Sequence, residues 1–355
     1  MHDIRLSLDR AARWTLLGGL ALTTVAAFGY VGGWLAPRRL TPQRLVDTLQ
    51  HNGGLHPGYR RNHAKGVCVA GWFEGNGVAS AYSTATVFAR SRTPVVGRFA
   101  IPGGNPYAPD GGVPIRSMAL RFNGMDGEQW RTGMNAMPVF PVSTPQAFYQ
   151  QALAGRPEPA TGKPDPARLA AFFAAHPETA AFRAWAKQAR PSASYATERY
   201  NSINAFYLVD GNGTRHAVRW AMLPLAHDAA PGPAGDHDYL ARDLQQRLAQ
   251  GPQRWTLRIT FAAPGDAVDD AAQAWPANRR SIDAGVLVID RTQPQGSGPC
   301  RDINYDPTVL PGGIEPSADP LLAARSAAYA DSFLRRTAEQ AHLPGTAPAA
   351  TGTAR

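Results

Sequence analysis

The segment Ile203–Met222, INAFYLVDGNGTRHAVRWAM, contains two runs of strand-forming residues separated by the turn Asp210-Gly-Asn-Gly213. Two such runs joined by a short turn rich in Gly, Asn and Asp predict a β-hairpin. In Arg254–Phe261, RWTLRITF, apolar and polar residues alternate strictly, as they do from Ser117 to Phe122. Alternation with a period of two predicts strands with one buried face. The sequence therefore predicts an antiparallel sheet.

Helical segments are predicted between and after these strands. They cover roughly Pro166 to Ala189 and Asp238 to Ala249, and a short helix begins at Pro42 with Thr41 as its N-cap. The last helix begins at Pro320, is capped by Asp319, and is stopped by Pro344–Gly345. Hairpins with helices inserted between them predict an α+β domain that is mainly antiparallel.

The N-terminal region predicts a membrane anchor. Residues Trp14 to Leu35 form 22 positions without a charged side chain, which suffices to cross a hydrocarbon core of about 30 Å. A secretory signal has a shorter apolar core, of about 7–15 residues, so we expect an uncleaved anchor at residues 14–35 rather than a buried core helix. Arginines flank both ends, so the charge pattern gives an ambiguous orientation. We expect residues 1–13 in the cytoplasm and the body outside the membrane.

The composition excludes several classes of protein. Of 355 residues 44% are hydrophobic and 18% charged, as in a globular chain, and the net charge is +9 with a pI of about 9.9. The basic residues form no long blocks and match no nucleic-acid motif, so we expect a solvated basic surface, of the kind that can face anionic lipid, and no nucleic-acid partner. The two cysteines, Cys68 and Cys300, match no zinc spacing. Cys68 is expected to be a small buried hydrophobe, and a bridge to Cys300 is left open.

The last helix carries the first chemical signal. Arg325 and Tyr329 are four residues apart, and Arg336 follows seven residues later, so all three share a face. Two guanidinium groups favour the phenolate form of a tyrosine between them, and a phenolate is one known axial ligand of haem iron. The alternative is an exposed amphipathic helix. The chain contains no G-x-S-x-G, P-loop, H-E-x-x-H or dinucleotide fingerprint.

The segment Arg60–Gly75, RRNHAKGVCVAGWFEG, carries the second signal. Gly66 and Gly71 interrupt an apolar strand that starts just after His63. A glycine inside a strand marks a bulge or the close approach of a ligand. A strand start with a surface histidine is the alternative.

Three blocks of the chain resemble the catalase family. The sequence from Asn304 to Ser332 is similar to the segment that leads into the family's haem-ligand helix, and RRNHAKG resembles the family's R-x-x-H-A-K-G. WRTGMNAMPVF, residues 130–140, resembles the block with the distal asparagine. The blocks occur in the family order, and the similarity runs roughly from Thr41 to Arg336. The matching positions are Arg325, Tyr329, Asp331, Ser332, His63, Trp130, Asn135 and Pro138.

The resemblance implies a catalase-like antiparallel β-barrel with inserted and C-terminal helices, built from residues 41–343 and followed by a disordered tail at 344–355. It implies haem b as the cofactor, Tyr329 as the axial iron ligand, and His63 and Asn135 as the catalytic residues. It also implies contacts with the haem from Arg60, Arg98, Phe148, Arg325 and Arg336. Gly66 and Gly71 would then lack side chains because a flat macrocycle lies close to this strand.

The departures from the family pattern are informative. The chain is shorter than classical catalases, Ala100 replaces the serine that usually pairs with the distal histidine, and Asn62 replaces an apolar residue. Short, exported relatives are called catalase-related haem peroxidases, and the chain is most similar to those. This implies reduction of hydrogen peroxide or organic hydroperoxides with small-molecule electron donors. A monofunctional catalase, a fatty-acid hydroperoxide isomerase, a haem-binding or sensing module, and a protein without haem are the alternatives. The oligomeric state is left open.

Overall fold

The computed structural model describes residues 2–36, 39–226, 233 and 235–342, without the side chains of residues 2–9 and 126. The chain divides into two compact units, Met1–Leu45 and Val46–Arg355. The helices are α1 (His2–Val31), α2 (Pro42–Gly53), α3 (Pro145–Ala154), α4 (Pro166–Ala175), α5 (Ala180–Gln188), α6 (Tyr239–Gln250) and α7 (Pro320–His342). The expected tail at 344–355 lies outside the described residues.

The first unit contains the apolar helix α1. Its segment Arg10–Val31 is 22 residues long and apolar enough to cross a membrane. A membrane anchor and a signal sequence both contain such a helix. The predicted start of α2 is confirmed, since Thr41 Oγ1 accepts a hydrogen bond of 3.3 Å from the amide of Arg44.

The second unit is built on a closed sheet in which every strand pair is antiparallel. Eight strands form the barrel in the order β7-β5-β4-β3-β2-β1-β9-β8, and pairing of β7 with β8 closes it, while β6 and β10 extend the sheet beyond β7. The predicted antiparallel α+β barrel is confirmed. The strands are β1 (Gly66–Gly75), β2 (Arg92–Ala100), β3 (Ser117–Asn123), β4 (Gln129–Asn135), β5 (Tyr200–Asn201), β6 (Phe206–Val209), β7 (Arg215–Pro224), β8 (Gln253–Phe261), β9 (Ser281–Gln293) and β10 (Ile314–Pro316).

The predicted hairpin forms as the turn chemistry requires. Val209 pairs with Arg215 across β6 and β7, and Asp210 Oδ1 accepts hydrogen bonds of 2.9 Å from the amides of Asn212 and Thr214. Gly213 has φ 81°, a left-handed conformation that glycine adopts without steric cost.

The barrel interior is filled by apolar and aromatic side chains. Trp130 stacks on Phe122 with ring centroids 4.5 Å apart and meets Trp220 edge-on at 5.1 Å, and Trp220 stacks on Phe206 at 4.3 Å. Burial of apolar surface contributes roughly 25 cal/mol per Å², so this core stabilises a rigid wall against which a site can be built.

One predicted helix is two helices. The segment Pro166–Ala189 was expected to be continuous, but α4 ends at Ala175 and α5 begins at Ala180, with a single 3₁₀ turn at Pro177–Thr179. Proline lacks an amide hydrogen and its ring clashes with the preceding turn. His176, which precedes it, has φ −125° and ψ 74°, outside the helical region.

The structure shows a bulge and close backbone contacts at the strand glycines, and the approach of a macrocycle to them stays a prediction. A Cβ at Gly71 would lie 1.9 Å from the carbonyl oxygen of Val288 on β9, beside a bulge between Ala70 and Gly71. A Cβ at Gly66 would lie 2.2 Å from the carbonyl oxygen of Phe99. Both glycines are required by the neighbouring backbone, and neither lines the cavity described below.

The two cysteines form a disulfide bond. Cys68 on β1 is fully buried, as predicted, but its sulfur is bonded to that of Cys300, with the two Cα atoms 5.4 Å apart. Cys68 is therefore not simply a small hydrophobe. Sequence left this pairing open because 232 positions separate the two residues.

Candidate functional site

A cavity in the second unit brings most of the predicted site residues together. Arg60, His63, Arg98, Asn135, Tyr329 and Arg336 line it, and Arg325 contacts Tyr329 at its edge. Apolar side chains complete the wall. The apolar lining residues include Val46, Leu49, Met118, Met134, Ala328 and Phe333.

We call the α7 end of this cavity the tyrosine side; it comprises Tyr329, Arg325, Asn204 and Asp319. Arg325 donates from Nη2 to the Tyr329 hydroxyl at 3.5 Å and from Nη1 to Asn204 Oδ1. Asn204 Nδ2 donates to Asp319 Oδ2 at 2.8 Å, and Asp319 Oδ1 caps α7 by accepting from the Leu321 amide at 2.9 Å. The phenol is thus backed by a continuous chain of hydrogen bonds.

We call the opposite group the histidine side; it comprises His63, Asn62, Asn135 and Ser117. His63 has φ 55°, an uncommon conformation for a residue other than glycine. Asn62 holds this backbone in place, because its Oδ1 accepts from the amides of His63 at 2.9 Å and Gly103 at 2.8 Å. Asn62 lines the cavity too, and its role is to hold the turn.

The His63 imidazole is kept neutral. Burial, together with the positive charges of Arg98, Arg325 and Arg60, lowers its pKa to about 3, while a backbone interaction with Ile101 opposes this shift. His63 Nδ1 is buried and has no hydrogen-bond partner in the described part of the chain. This agrees with Ala100, whose methyl group offers no hydrogen bond. A neutral imidazole has a free lone pair and can accept a proton.

Asn135 is oriented by a residue that sequence reasoning missed. The strand register aligns Ala100, Ser117 and Asn135 on β2, β3 and β4. Ser117 Oγ donates to Asn135 Oδ1 at 2.5 Å. The Nδ2 group therefore keeps its hydrogens for a ligand in the cavity. Only the register of three strands places Ser117 here.

Three arginines carry charge into the cavity and form no ion pair with a carboxylate in the described part of the chain, although the negative charge of Asp302 raises the pKa of Arg60 and Arg336. Arg98 and Arg336 are 3% and 2% exposed, and they and Arg60 donate to backbone carbonyls, Arg98 also to Gln295. Burial lowers the pKa of Arg336 to about 9, aided by the charge of Arg60, and lowers that of Arg98 well below its usual value. No carboxylate lines the cavity among the residues that the structure describes.

Tyr305 is a second residue that sequence reasoning missed. It lines the cavity, and its hydroxyl is buried without a hydrogen-bond partner among the residues that the structure describes. Burial raises its pKa to about 12 against the opposing charges of Arg60 and Arg98, so it is a neutral phenol that can donate. It stands in a loop with no periodic pattern, and no sequence signal marks it.

Phe148 lies elsewhere in the second unit. It is on α3, with its ring centroid 5.5 Å from that of Phe140, and it packs against the cluster of Val142, Ala147, Ala154 and Phe172. It is not among the residues that line the cavity, and its stacking on a cofactor stays a prediction.

The residues present fit a haem. A buried set of guanidinium groups without carboxylates is costly unless a ligand brings negative charge, and arginine binds carboxylates with charge-assisted hydrogen bonds. The apolar lining suits a flat macrocycle, and Tyr329 offers a phenol oxygen close to a guanidinium. A Cβ at Gly133 would lie 3.0 Å from Arg325 Nη2 and 3.9 Å from the Tyr329 hydroxyl, so a side chain there would crowd this pair.

Comparison with known proteins gives consistent matches. A family model described as Catalase matches residues 33–353. A catalase-related peroxidase of Synechococcus elongatus is 36% identical, covering 93% of this chain and 98% of the relative, and one of Mycolicibacterium paratuberculosis is 32% identical, covering 84% and 95%. A catalase of Pseudomonas aeruginosa is 30% identical, but the match covers 82% of this chain and only 60% of that catalase.

Proposed function

This chain belongs to the catalase family, and on that premise we propose that it is a haem-dependent peroxidase that reduces hydrogen peroxide or organic hydroperoxides. One observation carries the proposal: a single cavity combines an arginine-backed tyrosine, a neutral histidine and three arginines, and no carboxylate lines it among the described residues. The set supplies a ligand for iron, a proton acceptor for peroxide and cations for carboxylates.

The cofactor is proposed to be haem b, held through its iron and its carboxylates. Tyr329 would hold the iron through its phenolate oxygen, and Arg325 stabilises the negative charge on that oxygen. Arg60, Arg98 and Arg336 would bind the propionates, and Phe148 would stack on one face. When bound, the haem supplies an iron centre that exchanges electrons with the peroxide.

The proton chemistry belongs to the histidine side. His63, which is neutral, takes the proton from the oxygen of the peroxide that binds and returns it to the oxygen that leaves, which is general acid–base catalysis. Asn135 donates from Nδ2 to the peroxide and orients it, while Ser117 holds the amide in that orientation. A module that only binds haem needs neither residue.

The second half of the reaction is proposed to use a small-molecule electron donor. The relatives that match over nearly their whole length are named catalase-related peroxidases, whereas the match covers only about 60% of the catalases.

We propose that α1 anchors the protein and that the body lies on the extracytoplasmic side. The disulfide supports this side, because disulfides persist in oxidising compartments and are rare in the cytosol.

The proposal is tested on the full chain in detergent, loaded with haem. We expect a high-spin ferric absorption spectrum that Tyr329→Phe loses. Tyr305→Phe is the matched control, since it removes the hydroxyl of another tyrosine that lines the same cavity. We also expect hydroperoxide consumption that depends on an added donor.

Each alternative has its own outcome. Oxygen release without a donor identifies a catalase, rearrangement of a fatty-acid hydroperoxide without a donor identifies an isomerase, and haem uptake without turnover identifies a binding module. Failure to take up haem, or a Tyr329→Phe spectrum equal to that of the wild type, overturns the proposed ligand set.

A further inference from the structure

The segment Pro294–Ile303, which we call the arginine loop, contacts all three arginines of the cavity. Gln295 reaches the first: its Oε1 accepts from Arg98 Nε at 3.0 Å, and its Nε2 donates to the carbonyl of Ala64 at 2.9 Å. Arg98 also donates to that carbonyl at 3.0 Å. Gln295 therefore fixes the direction in which the Arg98 guanidinium points.

The other end of the arginine loop holds the remaining two arginines through backbone carbonyls. Arg60 Nη2 donates to the carbonyls of Cys300 at 2.9 Å and Ile303 at 3.1 Å. Arg336 Nη1 donates to the carbonyl of Arg301. A displacement of this loop would therefore move the acceptors of all three guanidiniums together.

The disulfide attaches this loop to the barrel. β9 ends at Gln293, and the arginine loop has turns but no strand or helix, so no sheet hydrogen bonds hold it. Cys300 is bonded to Cys68 on β1, and Cys68 pairs across the sheet with Arg98 on β2. A Cβ at Gly298 would lie 3.1 Å from Cys68 Sγ, so this glycine lets the loop approach the disulfide closely.

We propose that the Cys68–Cys300 disulfide and Gln295 are positioning residues, which hold the arginine loop so that Arg60, Arg98 and Arg336 converge on the carboxylates of the bound cofactor. This inference rests on the proposed function, because the carboxylates are those of the haem. It adds residues that affect cofactor binding only through the arginines that they position.

The physical reason is repulsion between like charges. Arg98 and Arg336, which are buried, and Arg60, which is partly buried, repel each other around one cavity. The carbonyl dipoles of the arginine loop and the carboxylate of its Asp302, which raises the pKa of Arg60 and Arg336, offset this repulsion only while the loop stays in place. A loop without sheet pairing relaxes away if its covalent attachment is removed, and the guanidiniums then spread apart. Binding of carboxylates would weaken, whereas binding of the apolar macrocycle would not.

The test compares the full chain in detergent with its Cys68→Ala/Cys300→Ala double variant. Each apoprotein is titrated with haemin and with haemin dimethyl ester, whose carboxylates are blocked, and binding is followed by absorption. We expect the wild type to prefer free haemin over the ester by at least about 10-fold, since charge-assisted hydrogen bonds contribute strongly. The double variant should lose most of that preference while its affinity for the ester stays unchanged.

A second variant keeps the disulfide and therefore does not depend on folding without it. Gln295→Ala removes the contacts of this side chain with Arg98 and with the Ala64 carbonyl, and we expect a partial loss of preference, about 3-fold, because the other two arginines keep their acceptors. Gln253→Ala is the matched control, because the Gln253 amide also donates to backbone carbonyls, of Arg247 and Gly251, outside the cavity.

The outcomes separate this inference from the proposed function. An unchanged preference in both variants, or an equal loss of affinity for haemin and its ester, overturns the positioning role and leaves the haem proposal intact. A wild type that binds neither porphyrin overturns the proposed function and this inference together.

Discussion

The tyrosine side and the histidine side of the cavity differ in how their ionisable groups are hydrogen-bonded. The Tyr329 hydroxyl accepts from Arg325, and behind it Asn204 and Asp319 continue the hydrogen-bond chain to the start of α7. His63 Nδ1 is buried with no partner in the described residues, and burial with nearby positive charge keeps the ring neutral.

This difference matches the two tasks in the proposed reaction. An iron ligand must keep its negative charge, and a permanently charged donor such as Arg325 provides that. A proton carrier must gain and lose a proton during each turnover, and a strong partner would hold it in one state. The four predictions below test this division of roles.

The sharpest test of the comparison is His63→Gln. We expect the reaction with peroxide to slow by about 10²–10⁴-fold, the usual contribution of a general acid–base residue, with haem affinity unchanged because the tyrosine side is intact. Stopped-flow absorption measures the rate. His56→Gln is the control, since His56 lies outside the cavity and its Nε2 donates to the Gly53 carbonyl at 3.1 Å. A His63→Gln rate within a few-fold of the wild type would contradict the role.

The neutral state of His63 predicts a pH-dependent stability of the haem-free chain. Its pKa is about 3 in the folded state and about 6.5 when unfolded, so the unfolded chain binds one more proton between these values. Stability is therefore full above pH 6.5 and lost as the pH falls, by about 1.4 kcal/mol per pH unit. Urea unfolding from pH 6 to 4 should show a shallower slope in His63→Gln, and equal slopes would refute the neutral histidine.

On the tyrosine side, Arg325→Gln tests the charged donor. Hydrogen bonds to charged groups contribute about 1.5–3 kcal/mol, so we expect haem to bind about 10–100-fold more weakly, with an altered ferric spectrum. Arg335→Gln is the control, because Arg335 is on the same helix and pairs with Asp47 and Asp331 outside the cavity. Equal losses in the two variants would mean that only helix stability changed.

The smallest effect is expected from Ser117→Ala. This variant removes the donor that orients Asn135, and one neutral hydrogen bond contributes about 1 kcal/mol, so we expect an approximately 5-fold slower reaction with peroxide at unchanged haem affinity. Ser83→Ala removes a comparable buried serine, whose hydroxyl donates to the Gly313 carbonyl at 2.8 Å away from the cavity. A similar rate loss in Ser83→Ala would assign both effects to stability.

Much of the tyrosine side could be predicted because its pattern is local. Arg325 and Tyr329 are one helical turn apart, and the Asp319–Pro320 start and the period of α7 place them on one face. Asn204, which completes the hydrogen-bond chain, lies 121 positions before Arg325. No periodic pattern connects two such positions, so its role was not predicted.

The histidine side and the arginine loop depend on remote contacts. Ser117 reaches Asn135 through the register of β3 and β4, and Cys300 reaches Cys68 across 232 positions. Gly71 was assigned to a cofactor, but it accommodates a bulge against β9. The sequence indicates that a side chain is excluded at a strand glycine, and only the neighbouring strand shows what excludes it.

The sequence by itself determined the mainly antiparallel α+β domain, the apolar N-terminal helix, the spacing of arginine and tyrosine on α7, and the family resemblance, which implied the barrel. These follow from periodicity, turn chemistry and short motifs, which act over a few residues. Only the tertiary structure decided that, among the described residues, three arginines line a cavity that no carboxylate lines and His63 Nδ1 has no hydrogen-bond partner, and that one disulfide-linked loop holds the guanidiniums. Burial and pairing between distant segments are properties of the packed chain, and they determine charge and proton affinity in the cavity.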